Sequence, residues 1–117
     1  MPPPTTTLPP PTSTLPALVC KWDTSGVEID GDTVSVQIRN TGDLTLKVTG
    51  VGISWTDYQH LVRVGLNGTI WSGWDNGPSF LVGTNKSIGA GGSRTLEFEF
   101  YGHRFSGSAS VSVDADC

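Results

Sequence analysis

Residues 33–40 read TVSVQIRN, and this stretch decides the fold class. Its apolar residues Val34, Val36 and Ile38 alternate with polar ones, which is the period of a β-strand with one buried face. The same alternation returns in TLEFEFY at residues 95–101. No window of ten residues carries the apolar stripe of a helix, so the pattern predicts strands.

Turn signals separate these strands. Asn67-Gly68 predicts a hairpin, because both central residues of a type I′ turn need a positive φ. About seven or eight short strands joined by tight turns predict one antiparallel, immunoglobulin-like β-sandwich, with a jelly-roll-like arrangement as the alternative. The other turn signals are DGD at 30–32, NTGD at 40–43, GAGG at 89–92 and GHRFSGS at 102–108.

The first 16 residues differ in composition from the rest. Residues 1–16 are rich in Pro and Thr, a composition that stays extended, so they are interpreted as a disordered linker and residues 17–117 as the folded domain. Met1 is followed by neither a basic nor an apolar signal region, and we expect the chain to be a piece of a longer extracellular protein.

Two cysteines lie at the two ends of the predicted domain. We expect Cys20 and Cys117 to form a disulfide, with two unrelated buried thiols as the alternative. In the chain-entropy model, closing a loop of about 100 residues contributes on the order of 4.7 kcal/mol. A disulfide would indicate an extracytoplasmic location.

Composition excludes two classes of partner. The net charge is −4 and the seven Lys or Arg residues are scattered, so no basic stripe is available for nucleic acid. No apolar run approaches the roughly 20 residues that span a bilayer, so we expect no membrane partner.

The chain lacks a convincing catalytic pattern. His60 and His103 have no metal-ligand spacing, and no nucleophile elbow precedes a helix. Glu97 and Glu99 are about 7 Å apart on one exposed strand face, which is no cleft for a glycoside hydrolase pair. We therefore expect no enzyme activity and no cofactor.

Aspartates leave one metal alternative open. Asp30 with Asp32, or Asp114 with Asp116, could supply oxygen ligands to calcium. The DGD sequence is equally a turn, and the DAD sequence equally a solvated strand end. We therefore expect no metal site.

The four tryptophans are separated by strand phase. Trp55 shares the parity of an apolar strand and is predicted to be core, whereas Trp22 is divided between the core edge and the surface. In IWSGWDNG at 70–77, Ile70 is the natural inward residue, which predicts that Trp71 faces outward. Trp74 follows in a polar loop, where burial by strand packing is not expected.

An exposed indole pair suits a sugar. Aromatic rings cover the apolar C–H face of a pyranose, while nearby polar side chains bind its hydroxyl groups. Trp71 and Trp74 are therefore predicted to stack on sugar rings, with a protein-binding patch or ordinary loop packing as alternatives. Trp22 or Tyr58 would extend the platform, and Asn76 and Asn85 would donate hydrogen bonds.

Three motifs carry a family resemblance: NTG at 40–42, ISW at 53–55, and GGS followed by FEF across 91–100. With the Pro/Thr linker and terminal cysteines, they resemble the bacterial secreted carbohydrate-binding modules of family two, which bind cellulose and chitin. The resemblance implies that Trp22 and either Trp71 or Trp74 are platform residues, while Thr84 stands where the family has a third tryptophan.

The segment LVRVGLNGTIWSG at 61–73 departs from that family. It is similar to repeated bacterial cell-surface domains that follow Pro/Thr spacers. We expect a secreted, non-catalytic module that targets covalently linked catalytic or surface domains to an insoluble polysaccharide: cellulose first, or chitin or xylan. The alternative is a structural or adhesive cell-surface domain.

Overall fold

The computed structural model describes residues 18–56, 59–101 and 107–117. The predicted linker at 1–16 and the predicted domain start at Ala17 lie outside these ranges. Within them, no helix is long and apolar enough to cross a membrane. The described strands are β1 Trp22–Thr24, β2 Glu28–Asp30, β3 Thr33–Asn40, β4 Leu46–Trp55, β5 His60–Leu66, β6 Thr69–Asp75, β7 Ser79–Ile88, β8 Ser93–Tyr101 and β9 Ala109–Asp116.

The strands form two antiparallel sheets. In the larger sheet β1 and β2 both pair with β3 at one edge, and the order continues through β8 and β5 to β6. The smaller sheet has the order β7, β4, β9. The arrangement confirms the predicted β-sandwich. The described strands number nine rather than seven or eight, because β1 and β2 are three residues long and show no clear alternation.

Alternating apolar residues build the core between the sheets. Inward positions of β3 and β8 are buried as the sequence predicts, and a register shift between Val48 and Gly50 changes the inward parity along β4. Trp55 is 3% exposed, which confirms its predicted core role. Its indole N–H donates to the Gln59 carbonyl at 3.0 Å, and its ring meets Phe100 at 5.1 Å. The indole N–H of Trp55 is therefore buried with a hydrogen-bond acceptor.

The turn between β5 and β6 confirms the hairpin prediction. Asn67 has φ of 50° and Gly68 has φ of 105°, so both central residues lie in the positive region. Asparagine tolerates that region better than other side chains do, and glycine adopts it without a steric penalty. The turn brings β6 back alongside β5 at the edge of the larger sheet.

The predicted disulfide joins the two ends of the described domain. Cys20 and Cys117 form an S–S bond of 2.06 Å across a sequence separation of 97 residues. Such a bond is typical of extracellular or otherwise oxidising compartments. Because it closes nearly the whole folded chain, it restricts the unfolded state strongly.

Replacing both Cys20 and Cys117 by Ser, or reducing the bond, is expected to lower the free energy of unfolding by about 2–5 kcal/mol, because the unfolded chain regains loop entropy. Urea denaturation of the oxidised protein, the reduced protein and the Cys20→Ser, Cys117→Ser double variant measures this. Equal midpoints for all three would contradict the expectation.

The buried side chain of Asn40 connects the two sheets at the end of the sandwich that carries the disulfide. Its side chain is 2% exposed, and Nδ2 donates to the carbonyls of Leu44 at 2.8 Å and Ile88 at 2.9 Å. Its Oδ1 accepts from the Gly42 N–H at 3.1 Å. Asn40 ends β3 and Ile88 ends β7, so one amide joins both sheets. The NTG motif therefore has a structural role.

Asn40→Ala is expected to lower the free energy of unfolding by about 2–4 kcal/mol, because buried carbonyls lose their donor. Asn40→Asp is expected to cost at least as much, since a carboxylate would face two carbonyl oxygens. Asn85→Ala, at an exposed position of β7, is the matched control and should stay within about 0.5 kcal/mol of the wild type. Chemical denaturation decides; an Asn40→Ala midpoint equal to that of the control would refute the role.

Candidate functional site

Three aromatic rings meet on the outer face of the larger sheet. They come from neighbouring strands: Trp74 from β6, His60 from β5 and Tyr101 from β8. The Trp74 and His60 rings stack with centroids 4.3 Å apart and planes 26° apart. The Trp74 and Tyr101 rings are 5.3 Å apart at 52°. We call these three residues the aromatic cluster.

Sheet register explains why the aromatic cluster forms. His60 and Tyr101 are direct cross-strand partners, and the next residues, Leu61 and Phe100, are buried partners that point into the core. Since successive side chains alternate between faces, His60 and Tyr101 must point outward together. Trp74 precedes Asp75, the partner of Leu61, and so shares their face.

Much of the cluster remains accessible. Trp74 is 55% exposed and Tyr101 is 63% exposed, whereas His60 is half-buried. The Trp74 indole N–H donates to Asn76 Oδ1 at 3.1 Å. His60 stacks on one face of the indole and Tyr101 contacts the ring at an angle, and Trp74 is still 55% exposed with both contacts in place. Trp74 thus presents a flat apolar surface to solvent.

Charged groups border the aromatic cluster along the strands. Arg63 pairs with Glu99, one position beyond the His60 and Tyr101 row on the same face. Arg63 Nη1 lies 3.3 Å from Glu99 and 3.8 Å from Glu97, and Arg63 Nε donates to Thr69 Oγ1 at 2.7 Å. The two glutamates lie on one exposed face, as predicted, and both face an arginine rather than a cleft.

The outward orientation predicted for Trp71 is wrong. Ile70 is an extra residue in β6, because Val64 pairs with Trp71 and the next residue, Gly65, pairs with Thr69. Such a bulge changes the alternation, and Trp71 falls on the inward face with buried Val64. Its ring packs 4.4 Å from Phe80 of the smaller sheet. Trp71 is therefore half-buried and lies away from the aromatic cluster.

The other predicted site residues are dispersed. Trp22 lies in β1, at the edge of the larger sheet opposite β6. It pairs with the buried Asn40 of β3 and packs against the core. It therefore cannot extend a platform built on Trp74. Asn85 is exposed on β7 of the smaller sheet, whereas Asn76 contacts Trp74. Tyr58 lies outside the described residues.

The aromatic cluster and the disulfide lie at opposite ends of the sandwich. Asn40 ends β3, and the N–H of the next residue, Thr41, donates to the carbonyl of Lys21, which follows Cys20. Thr33, at the other end of β3, pairs with Glu99, two residues before Tyr101. Eight strand residues at about 3.3 Å each separate these ends by roughly 25 Å.

Side chains that could ligate a metal do not gather at one place in the described ranges. No three His, Cys, Asp or Glu residues there lie close enough to hold an ion. Asp30 and Asp32 flank the turn before β3, whereas Asp114 and Asp116 lie on β9 of the other sheet. Asp30 and the Asp114, Asp116 pair therefore belong to different sheets, and Asp32 lies in the turn between β2 and β3.

Sequence reasoning missed two members of the cluster. The alternation of TLEFEFY places Tyr101 outward, so its exposure was readable from the sequence. His60 gave no such signal, because its contact with Trp74 depends on the register of β5 and β6. Comparison with protein-family models gave no match, and a search of curated proteins found no significant relative.

Gly77→Ala is expected to lower the free energy of unfolding by about 1–3 kcal/mol and to move the loop after Trp74. Gly77 has φ of 74°, and a Cβ there would lie 2.6 Å from the Trp55 ring. Gly26→Ala is the matched control, since no atom lies within 4 Å of its added Cβ. Thermal unfolding and near-ultraviolet circular dichroism measure both effects, and identical behaviour of the two variants would contradict them.

Proposed function

We propose that this domain is a non-catalytic carbohydrate-binding module whose ligand stacks on the exposed face of Trp74. The observation that carries the proposal is the 55% exposed indole, backed by His60 at a ring distance of 4.3 Å. A flat ring held in this way buries the C–H face of a pyranose without first having to be ordered.

The surroundings of Trp74 favour a sugar over a protein surface. Protein-binding patches are broad apolar areas with few charges at their centre. Here the apolar area consists of three rings, and beside it lie Arg63, Glu97 and Glu99. Carboxylate oxygens accept hydrogen bonds from hydroxyl groups, and a guanidinium donates them. The border thus matches the hydroxyl rim of a sugar.

The proposed platform differs from the pair predicted by sequence. Trp74 is kept from the predicted Trp71 and Trp74 pair, and Tyr101 takes the place of Trp71, which packs against the core. Trp22, one of the two predicted extensions of the platform, packs against the core as well. The Trp74 and Tyr101 planes are 52° apart, so a ligand that touches both rings follows a corner rather than one plane. Cellulose, chitin and xylan remain the candidate ligands.

Targeting is the proposed biological role. The first described residue, Leu18, lies near Cys20 and therefore at the end of the sandwich opposite Tyr101. A Pro/Thr linker that leads away from this end would leave the aromatic cluster free to meet a polysaccharide. A secreted partner joined through that linker would be held at raised effective concentration near its substrate. The family-two resemblance and the disulfide support a bacterial, extracellular setting.

Trp74→Ala is expected to weaken binding to the polysaccharide that the wild type binds at least tenfold, because aromatic stacking and apolar burial are lost together. The measurement is depletion from solution by microcrystalline cellulose, chitin and insoluble xylan, with soluble oligosaccharides tested by calorimetry. Leu81→Ala is the matched control: Leu81 is 76% exposed but lies on β7 of the other sheet.

The control separates specific stacking from general adhesion. Equal losses for Trp74→Ala and Leu81→Ala would indicate nonspecific apolar adsorption. Wild-type protein that binds none of these carbohydrates would sink the proposal and favour the structural or adhesive cell-surface role.

A further inference from the structure

His60 occupies an unusual place for a histidine. It is half-buried beneath the indole of Trp74, with ring planes only 26° apart. Its Nδ1 atom is buried and has no hydrogen-bond partner in the part of the chain that the structure describes. Buried polar atoms are usually paired, because an unpaired one costs free energy. A hydrogen bond from Nδ1 therefore does not explain the ring's position, whereas its stacking on Trp74 does.

We infer that His60 is a positioning residue: its ring is a floor that holds the Trp74 indole with one face toward solvent. The inference rests on the proposed function, since it assigns His60 a part in the same site. A single hydrogen bond, from the Trp74 indole N–H to Asn76, holds the ring edge. Two rings also contact the indole: Tyr101 meets it at an angle of 52°, and His60 stacks on it with planes 26° apart. Of the two, the stacked His60 ring is the one that supports a face of the indole.

Strand geometry makes His60 suited to this role. It begins β5, the strand between β6 and β8, so its ring stands between the strands that carry Trp74 and Tyr101. Its direct partner Tyr101 lies on one side, and Trp74 covers it from the other. The backbone of β5 is fixed by ladders on both edges, whereas β6 is an edge strand of its sheet. The more rigid strand thus supports the ring carried by the less rigid one.

The consequence is a pre-ordered binding surface. Immobilising a flexible side chain on binding weakens affinity by about two- to tenfold, a loss that a ring already held in place avoids. Among the described residues, replacing His60 by another ring would cost no hydrogen bond of Nδ1, so we assign its contribution to the flat shape of the ring. Phenylalanine should therefore replace it, and a non-aromatic polar side chain should not.

The test compares His60→Ala, His60→Phe and His60→Gln in the full chain. We expect His60→Ala and His60→Gln to weaken binding of the polysaccharide retained by the wild type by about two- to tenfold, and His60→Phe to restore it. The ligand-independent readout is ¹⁵N relaxation of the Trp74 indole N–H, which should show faster motion in the Ala and Gln variants only. The Trp71 indole, packed on Phe80, is the internal control and should not change.

Each result decides the inference. The positioning role would be overturned if the Trp74 indole relaxes in His60→Ala as it does in the wild type. It would also be overturned if the Trp74 indole is as mobile in His60→Phe as in His60→Ala. Wild-type protein that binds no carbohydrate would overturn the proposed function instead, while the relaxation data would still report whether His60 orders the indole. Melting temperatures of all three variants exclude loss of fold as the cause of weaker binding.

Discussion

The amide of Asn40 is the constraint on which the arrangement of the two sheets depends. The amide lies at the end of β3 and donates to the loop before β4 and to the end of β7, so it ties the larger sheet to one strand of the smaller sheet and to the loop that enters another. The backbone of Asn40 also exchanges hydrogen bonds with Gly91 and Gly92 before β8. A buried amide with three side-chain bonds permits few other arrangements, because each alternative leaves polar groups unpaired.

The end of the sandwich that carries the disulfide and Asn40 is connected to the aromatic cluster through strand register. Asn40 and the Cys20–Cys117 bond fix one end of β3, and β3 pairs with β8 over seven consecutive residues. That register sets which β8 side chains point outward, and the pairing of β8 with β5 then places Tyr101 beside His60. The disulfide end therefore positions the aromatic cluster without touching it. The three residues of the aromatic cluster lie on strands that are hydrogen-bonded to each other, which fixes their backbone positions.

Features that depend on local patterning were predictable from sequence. Alternation identified β3 and β8, two residues with positive φ identified the hairpin, and the cysteine positions identified the disulfide. The missed features depend on pairing. Trp22, which the sequence left open between the core edge and the surface, lies inward with its partner Asn40, and the contact of His60 with Trp74 exists only in one register of β5 and β6. A single sequence contains neither partner nor register.

The two tryptophans of IWSGWDNG have opposite uses, and their spacing explains why. Residues three apart in a regular strand point to opposite faces, and Trp71 and Trp74 do so in β6. The bulge at Ile70 decides which of them turns inward. Trp71 then packs on Phe80 and ties the edge strand β6 to the smaller sheet, and the absence of a side chain at Gly73 leaves room for its ring. With β6 anchored through its inner face, the indole on its outer face can remain exposed, supported by His60. The half-buried Trp71 and the exposed Trp74 thus lie on opposite faces of the same edge strand.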